Sequence, residues 1–199
     1  MAGGIWALVA ALAWVYREPR VRVPSSPLAV VSPVDGKVLV VRGCADPWLG
    51  REARRIGLRV RWPGVAPLRC PVEGRVEDYR FAVDQYKGEA FCGAGRRMAE
   101  SHGLWLRTDE GDDVVLVASS FTRLMRLSAP LHVGSRLGQG QRLGFVHFAS
   151  RVDVLLPADV RTTVQRGDRA RAGQAILAQL VHRRPPRGQT VAPTGEERR

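Results

Sequence analysis

The stretch PVDGKV at residues 33–38 recurs almost unchanged as PVEGRV at residues 71–76. In both copies a proline opens a turn formed by an acidic residue and a glycine, and a valine-rich run follows. Acidic residue–glycine pairs are favoured in tight turns, and runs rich in β-branched residues favour strands. Each copy therefore predicts a turn that leads into a β-strand.

A second repeat follows in the carboxyl-terminal part of the chain. GSRLGQGQRL at residues 134–143 recurs as GDRARAGQAI at residues 167–176, with glycines, an arginine and a glutamine in register. Glycine adopts positive φ angles at little cost, so the shared glycines predict tight turns. Two pairs of repeats indicate that the chain folds as two related halves.

From residue 30 onward, short β-type runs are broken by glycine, proline and aspartate, which is typical of a mostly β domain. We predict an interlocked β-sandwich or barrel-sandwich-like domain with two related halves, similar to lipoyl and biotinyl carrier domains, preceded by an N-terminal apolar helix. Residues 91–100 fit either a loop or a helix. The predicted strands are KVLVV (37–41), IGLRVRW (56–62), GLWLRT (103–108), DVVLVAS (113–119), RLGFVHF (142–148), RVDVLLP (151–157) and QAILAQLV (174–181).

The amino-terminal segment has a different composition: residues 1–16 carry no charged side chain and include Trp6, Trp14 and Tyr16. A membrane-spanning helix needs ~20 apolar residues, so this segment is short for a full span. Its aromatic residues favour the headgroup region, with the arginines that follow on the cytoplasmic side. A membrane anchor or interfacial helix is the favoured interpretation, and a buried core helix is the alternative. The predicted organisation is an anchor or interfacial helix over 1–17, a linker over 18–29, the β domain over 30–181 and a disordered basic tail over 182–199.

The chain is strongly basic, with a net charge of +12 and a pI of about 11.1. Arginine supplies nearly all of this charge, because Lys37 and Lys87 are the only lysines. A GC-rich genome would account for such arginine usage, and a basic surface also favours anionic partners such as phospholipid headgroups or nucleic acid. There is no zinc-finger spacing and no aromatic-rich strand that would stack bases, so nucleic acid is not an expected partner.

The three cysteines, Cys44, Cys70 and Cys92, are odd in number and lack CxxC spacing. This pattern predicts reduced, buried thiols in a cytoplasmic compartment rather than disulfides or metal ligands.

FVHFASRVDVLLP at residues 145–157 predicts an alternating strand with Ser150 in its middle. Together with SPVDGKV at residues 32–38, it resembles the self-cleavage segment of the short, archaeal-type phosphatidylserine decarboxylases. The resemblance extends from about residue 16 to residue 180. It implies that the Ala149–Ser150 bond cleaves itself and that Ser150 becomes a covalent pyruvoyl group. That group is the electron sink for converting phosphatidylserine to phosphatidylethanolamine in phospholipid biosynthesis.

Asp35 matches the aspartate of the family's SPxDG motif, and the resemblance implies a general-base or orienting role for it in self-processing. The residues alone favour a simpler interpretation. Aspartate before glycine is a favoured turn pair, and Glu73 before Gly74 repeats the pair without a catalytic counterpart.

Two positions depart from the family pattern. Ala149 stands where the family has a glycine, and Ala66 stands where the family has a histidine shortly before Arg-x-Pro-x-x-Gly. We consider His102 and His147 as substitute acid/base groups, although strand alternation predicts that His147 points to the face opposite Ser150.

The segment VASSFTRLMRL resembles an apolar, arginine-tipped segment of the family. Arg123 and Arg126 are therefore candidates for binding a headgroup phosphate or carboxylate. Solvated surface arginines are an equally good interpretation of the same residues.

Three functions follow from these observations. The first is an active, membrane-associated decarboxylase at the cytoplasmic face of the cell membrane, with anionic phospholipid and its own cleaved large and small chains as partners. The second is a decarboxylase-like protein that has lost catalysis. The third, a lipoyl-like carrier, needs a lysine at an exposed hairpin tip, whereas Lys37 is predicted at the start of a strand.

Overall fold

The computed structural model describes Trp6 and residues 21–26, 28–60, 66–83, 100–120, 126–127, 131–146 and 150–181. From residue 21 onward, all regular secondary structure in these ranges is β-strand, which confirms the mostly β prediction. The predicted N-terminal helix lies outside the described residues, apart from the exposed Trp6. The strands are β1 (Ala29–Val31), β2 (Gly36–Asp46), β3 (Arg51–Val60), β4 (Ala66–Arg69), β5 (Gly74–Val83), β6 (Glu100–Arg107), β7 (Asp113–Ser120), β8 (Arg126–Leu127), β9 (Arg136–Leu137), β10 (Arg142–Val146), β11 (Arg151–Pro157), β12 (Arg161–Thr162), β13 (Arg169–Ala170) and β14 (Ile176–Gln179).

These strands form one large sheet and two small ones, and every strand pair is antiparallel. The eight-stranded sheet has the order β13-β2-β3-β11-β7-β6-β5-β9, and the three-stranded sheets have the orders β1-β14-β12 and β4-β10-β8. The large sheet is symmetric about its central β11–β7 pair. One side consists of β3, β2 and β13, and the other of β6, β5 and β9.

The repeated sequences make equivalent hydrogen bonds in the two halves. Gly173 N donates to Ser32 O at 2.7 Å, and Gly140 N donates to Cys70 O at 2.8 Å. These glycines have φ angles of 69° and 73°, a left-handed conformation that favours glycine. Each copy of the first repeat therefore binds one copy of the second.

The two turns of the first repeat are also bonded to each other. Val31 N donates to Pro71 O at 2.9 Å, and Arg69 N donates to Pro33 O at 2.8 Å. These reciprocal bonds hold the start of one half against the start of the other.

The main hydrophobic core lies against one face of the eight-stranded sheet, here called the core face. Alternate residues such as Val38, Leu58, Val152 and Leu104 point into it. The intervening residues point to the opposite face, here called the outer face, as strand alternation requires. On the outer face a smaller cluster forms around Val117 and Leu155, packed with Trp48 and Trp105.

The seven predicted strands correspond to β2, β3, β6, β7, β10, β11 and β14. Lys37 lies at the start of β2, as predicted. The ends of β2 and β3 were missed, because the hairpin extends with mixed polar residues to Asp46 and from Arg51. Residues 91–100 lie outside the described residues, except that Glu100 begins β6.

The prediction of one continuous strand through Ser150 is wrong. β10 ends at Val146 in a three-stranded sheet, whereas β11 begins at Arg151 in the eight-stranded sheet. Ser150 therefore lies at the entrance to β11 rather than in the middle of a strand. Alternating apolar residues mark the strands but do not tell which sheet each strand joins.

Gly36 and Gly74 tolerate no side chain, because a Cβ at Gly36 would overlap the carbonyl oxygen of Arg59 and one at Gly74 would lie 2.5 Å from that of Arg107. We predict that Gly36→Ala lowers the free energy of unfolding by about 1–3 kcal/mol. Gly43→Ala, on the same strand, is the control, because nothing lies within 4 Å of the Cβ that this substitution adds. Urea unfolding curves compare the two, and equal unfolding midpoints would contradict this account of the turn.

Candidate active site

Ser150 is fully buried at the entrance to β11. Its carbonyl oxygen accepts a hydrogen bond from Val60 N at 3.1 Å, which fixes its backbone against the end of β3. Its Oγ has no hydrogen-bond partner among the described residues. A buried hydroxyl without a partner costs about 1–3 kcal/mol, so its presence calls for an explanation such as a catalytic role.

Asp35 lies at the same end of the sheet. The next residue, Gly36, pairs with Val60 on the side of β3 opposite Ser150. Gly36 and Ser150 are therefore separated by two inter-strand spacings, about 10 Å in all. Asp35 Oδ1 accepts a hydrogen bond from Ala172 N at 2.8 Å, so its carboxylate joins the two repeats.

The Asp35 carboxylate does not hydrogen-bond the Ser150 hydroxyl. The structure thus supports the turn role that the Asp–Gly pair predicts. It places Asp35 near the serine in the sheet without placing it in contact.

Two buried polar residues that the sequence analysis missed share the row of Ser150. Continuing the Arg151–Ser119 register by one residue places Ser150 opposite Ser120, which pairs with Glu100. Ser120 and Glu100 are 0% and 5% exposed and lie on the core face, as Ser150 does. In the sequence, Ser120 and Glu100 stand out only because they lie at the ends of two alternating strands. That position points to Ser150 only when the order of the strands in the sheet is known.

His102 lies on the same face, two residues along β6 from Glu100. Its Nδ1 is 2.6 Å from the hydroxyl of Tyr79, and its ring contacts that of Phe81 with centroids 4.7 Å apart. Its Nε2 is buried without a hydrogen-bond partner among the described residues. The structure thus places a half-buried His102 near the Ser150 row and pairs it with Tyr79, a residue that the sequence did not single out.

Burial controls the protonation of this pair. Desolvation lowers the pKa of His102 to about 4, so the ring is neutral at pH 7. Burial, followed by the nearby Glu100 carboxylate, raises the pKa of Tyr79, so the phenol keeps its proton.

Ser150 and His102 are two strands and two residues apart, about 12 Å between Cα atoms. Both direct an unpartnered buried polar atom from the core face at one end of the sheet. The arrangement suits a reacting group held between them better than a direct bond between the two side chains.

Comparison with known proteins identifies the family. The family model for phosphatidylserine decarboxylase matches residues 8–178. The chain belongs to the phosphatidylserine decarboxylase family. It is 36% identical to the phosphatidylserine decarboxylase proenzyme of Nitrosomonas eutropha over 184 residues, which cover 90% of this chain and 85% of the relative.

Two further relatives carry the same name. The proenzyme of Nitrosomonas europaea is 34% identical, over 90% of this chain and 85% of its own length. That of Cupriavidus metallidurans is 31% identical, over 88% and 81%. These names specify no subtype, so the short, archaeal-type assignment stays a prediction. No solved structure matches the chain.

The position where the family resemblance leads one to expect a histidine lies close to the predicted cleavage segment. Ala66 in β4 is buried and pairs with Val146, the last residue of β10. Its methyl group can neither accept nor donate a proton. Any acid/base group in this phosphatidylserine decarboxylase family member must therefore come from another position.

The remaining predicted site residues are described only in part. Ala149, His147 and Arg123 lie outside the described residues. The backbone of Arg126 in β8 pairs with Phe145 in β10, which places β8 beside the strand that precedes the predicted cleavage segment.

The cysteine prediction is confirmed for Cys70 and only partly for Cys44. Cys70 is a buried free thiol that donates to Val72 O at 3.0 Å, and burial raises its pKa to about 12. Cys44 is only half-buried. Cys92 lies outside the described residues.

No helix in the described part of the chain is long and apolar enough to cross a bilayer.

The lowered pKa of His102 predicts acid sensitivity. Since the folded-state pKa is about 4 and the ordinary value is 6.5, the unfolded chain binds the proton more readily between these pH values. The stability that comes from keeping the His102 ring neutral is fully present above pH 6.5 and is lost as the pH falls towards 4. The full pKa shift corresponds to about 3 kcal/mol. The loss of stability is smaller than this, because the ring is only partly buried.

We therefore expect His102→Gln to show a smaller loss of stability than the wild type between pH 7 and pH 4.5 in urea unfolding. His132→Gln, at an exposed histidine, is the matched control and should follow the wild type. Identical pH profiles for all three proteins would show that His102 is not held neutral by the fold.

Proposed function

We propose that this protein is a pyruvoyl-dependent phosphatidylserine decarboxylase that matures by cleaving its own Ala149–Ser150 bond and converts phosphatidylserine to phosphatidylethanolamine. The observation that carries the proposal is the Ser150 hydroxyl, buried and without a hydrogen-bond partner at the position of the family's reactive serine. Membership of the family and the proenzyme names of the relatives support it.

Maturation uses atoms that the chain itself supplies. The Ser150 Oγ attacks the carbonyl carbon of Ala149, the peptide C–N bond breaks, and an ester forms as the nitrogen takes up a proton. Loss of the Cα proton of residue 150 then expels the Ala149 carboxylate. The dehydroalanine that remains takes up a proton at Cβ to become an imine, and water hydrolyses this imine, releases ammonia and leaves a ketone at the new amino terminus. A hydroxyl not held by another side chain fits this attack.

The pyruvoyl group supplies the electron sink that amino-acid decarboxylation requires. Around it, the buried Ser120 and the main core limit access of water to the entrance of β11. Burial of this kind strengthens each polar interaction at the site.

We assign to His102 the acid/base work that the resemblance gives to a histidine at the position of Ala66. A phenol is a better donor than acceptor, so Tyr79 donates to Nδ1 and the imidazole proton resides on Nε2. Nε2, which is buried without a partner among the described residues, is then available as a donor to a bound substrate. Asp35 orients the turn at this end through Ala172.

Membrane association at the cytoplasmic face is part of the proposal. It is supported by the uncharged, tryptophan-containing residues 1–16 and the arginines that follow them. The partners are then anionic phospholipid, with Arg123 and Arg126 as candidate headgroup contacts, and the large and small chains that cleavage produces.

Ser150→Ala should abolish self-cleavage. Intact-mass measurement of the wild type should show two fragments divided between residues 149 and 150, and the variant should show one uncut 21.9 kDa chain. Ser119→Ala is the matched control. It removes another buried hydroxyl at the same end of the sheet, but one on the outer face that is bonded to Ser101.

Continued splitting in Ser150→Ala would remove this serine from the mechanism. A wild-type chain that stays uncut after purification with phospholipid would favour a decarboxylase-like protein without catalysis, the alternative that Ala66 and Ala149 raise.

His102→Gln and Tyr79→Phe test the acid/base assignment. For general acid–base catalysis we expect His102→Gln to lower decarboxylation by roughly 10²–10⁴-fold. Tyr79→Phe, which removes only the bond to Nδ1, should lower it less. The measurement is carbon dioxide release from carboxyl-labelled phosphatidylserine, with cleaved protein confirmed by mass. His132→Gln should retain full activity, and full activity in His102→Gln would overturn the assignment.

A further inference from the structure

A row of basic side chains crosses one side of the eight-stranded sheet. Arg169 in β13 pairs with Lys37 in β2, Lys37 with Arg59 in β3, and Arg59 with Arg151 in β11. These four residues are here called the basic row. Residues paired in adjacent strands point to the same face, so the row forms one line across four strands.

The row lies on the outer face. Its members alternate with residues of the main core, among them Val38, Leu58 and Val152. Arg169, Lys37 and Arg59 are exposed, and Arg151 is half-buried. The four strands span about 14 Å from the first to the last.

Like charges in directly opposite positions destabilise a sheet, so the row weakens the fold unless anions neutralise it. Within the described part of the chain, Lys37, Arg59 and Arg169 make no side-chain hydrogen bond or ion pair. Arg151 bonds Asp153 at 3.2 Å, but that carboxylate also binds the buried Arg55 at 3.0 Å.

The other half of the sheet provides an internal comparison. Its equivalent row consists of Arg136, Arg75 and Arg107, paired in the same way. There two of the three charges are neutralised. Arg136 bonds Glu73 at 2.9 Å and also bonds Asp109. Arg107 bonds Asp113 at 3.0 Å and lies 4.0 Å from Glu77.

Arginine-rich composition acts on both halves alike, so it does not explain this difference. In the half that contains Ser150 and Asp35, three of the four members of the row (Lys37, Arg59 and Arg169) have no carboxylate partner in the described part of the chain. The asymmetry indicates an external anion.

The row is adjacent to the candidate active site. Lys37 follows Gly36 and Arg151 follows Ser150, so the row lies one residue, about 3.3 Å, along the strands from the Ser150 row. The linker that follows the apolar amino-terminal segment reaches the same end. Val21 packs against Gly173, 2.8 Å from where a Cβ would be, and the neighbouring Ala172 N binds Asp35.

We propose that the basic row is a docking surface for an anionic phospholipid bilayer, which holds the Ser150 end of the sheet against the headgroups. The proposal rests on the proposed function, because a lipid substrate makes a bilayer the anion this site must approach. A straight line of cations on a sheet face suits a planar anionic surface, and the apolar segment attached at the same end would reinforce the contact.

The test is cosedimentation of the full-length protein with vesicles at low salt. Mixed phosphatidylcholine–phosphatidylglycerol vesicles are compared with pure phosphatidylcholine vesicles, which report binding by the apolar segment alone. Basic residues near an anionic surface contribute roughly fivefold each, so the Lys37→Gln, Arg59→Gln, Arg169→Gln triple variant should lose roughly 100-fold in partitioning to the mixed vesicles. Its binding to pure phosphatidylcholine should not change.

The matched control is the Arg75→Gln, Arg107→Gln, Arg136→Gln triple variant, which removes the same charge from the row in which two of the three arginines are paired with carboxylates. It should bind mixed vesicles within a few-fold of the wild type. Circular dichroism confirms the fold of both variants.

Equal losses in the two triple variants would assign the effect to net charge and overturn the proposal, as would wild-type protein that does not prefer mixed vesicles. Binding to duplex DNA that the row variant loses, without any vesicle preference, would assign the row to nucleic acid and also overturn it. Intact mass is measured on each sample. An uncut chain that still docks through the row would support the docking surface while contradicting the proposed maturation.

Discussion

The candidate site depends on Val60 at the end of β3, which lies between the Asp35 turn and Ser150 and pairs with the backbone on both sides. Gly36 pairs with Val60 on one side, and Val60 N donates to Ser150 O on the other. Gly36 permits this approach, because any Cβ there would overlap the Arg59 carbonyl. Two segments separated by more than one hundred residues in the chain thereby meet at the end of a buried sheet. The basic row, one residue further along, depends on the same register.

Much of the fold was predictable because its signals are local. The repeated Pro-Val-acid-Gly turns and the alternating valine-rich runs predict β2, β5 and their neighbours from residues close together in sequence. The assignment of strands to sheets was not predictable in this way. FVHFASRVDVLLP shows alternation on both sides of Ser150, but Phe145 and Arg151 make their hydrogen bonds in different sheets. Alternation reports burial of a face and carries no information about the partner strand.

The site was predictable only where a motif marked it. Ser150 and Asp35 were found through their surrounding sequence, and His102 because histidines are few. Glu100 and Tyr79 are ordinary strand residues until the register of β5, β6 and β7 brings them to the face that Ser150 shares. The bond from Tyr79 to His102 joins residues 23 positions apart. A single sequence contains nothing that would select that pair.

The symmetry of the sheet shows how this chain can be cleaved without dissociation of the two resulting chains. In one half Thr108 N donates to Asp112 O across a tight hairpin, and in the other Val60 N donates to Ser150 O in the equivalent place. A cut beside Asp112 would open the connection between two neighbouring strands. A cut before Ser150 leaves β11 paired along its length with β3 and with β7, in the middle of the sheet. Backbone hydrogen bonds and buried residues such as Val152 and Leu156 would then hold the small chain in place. Because neither strand beside β11 precedes it directly in sequence, the new amino terminus can form at the site without loss of the sheet that positions it.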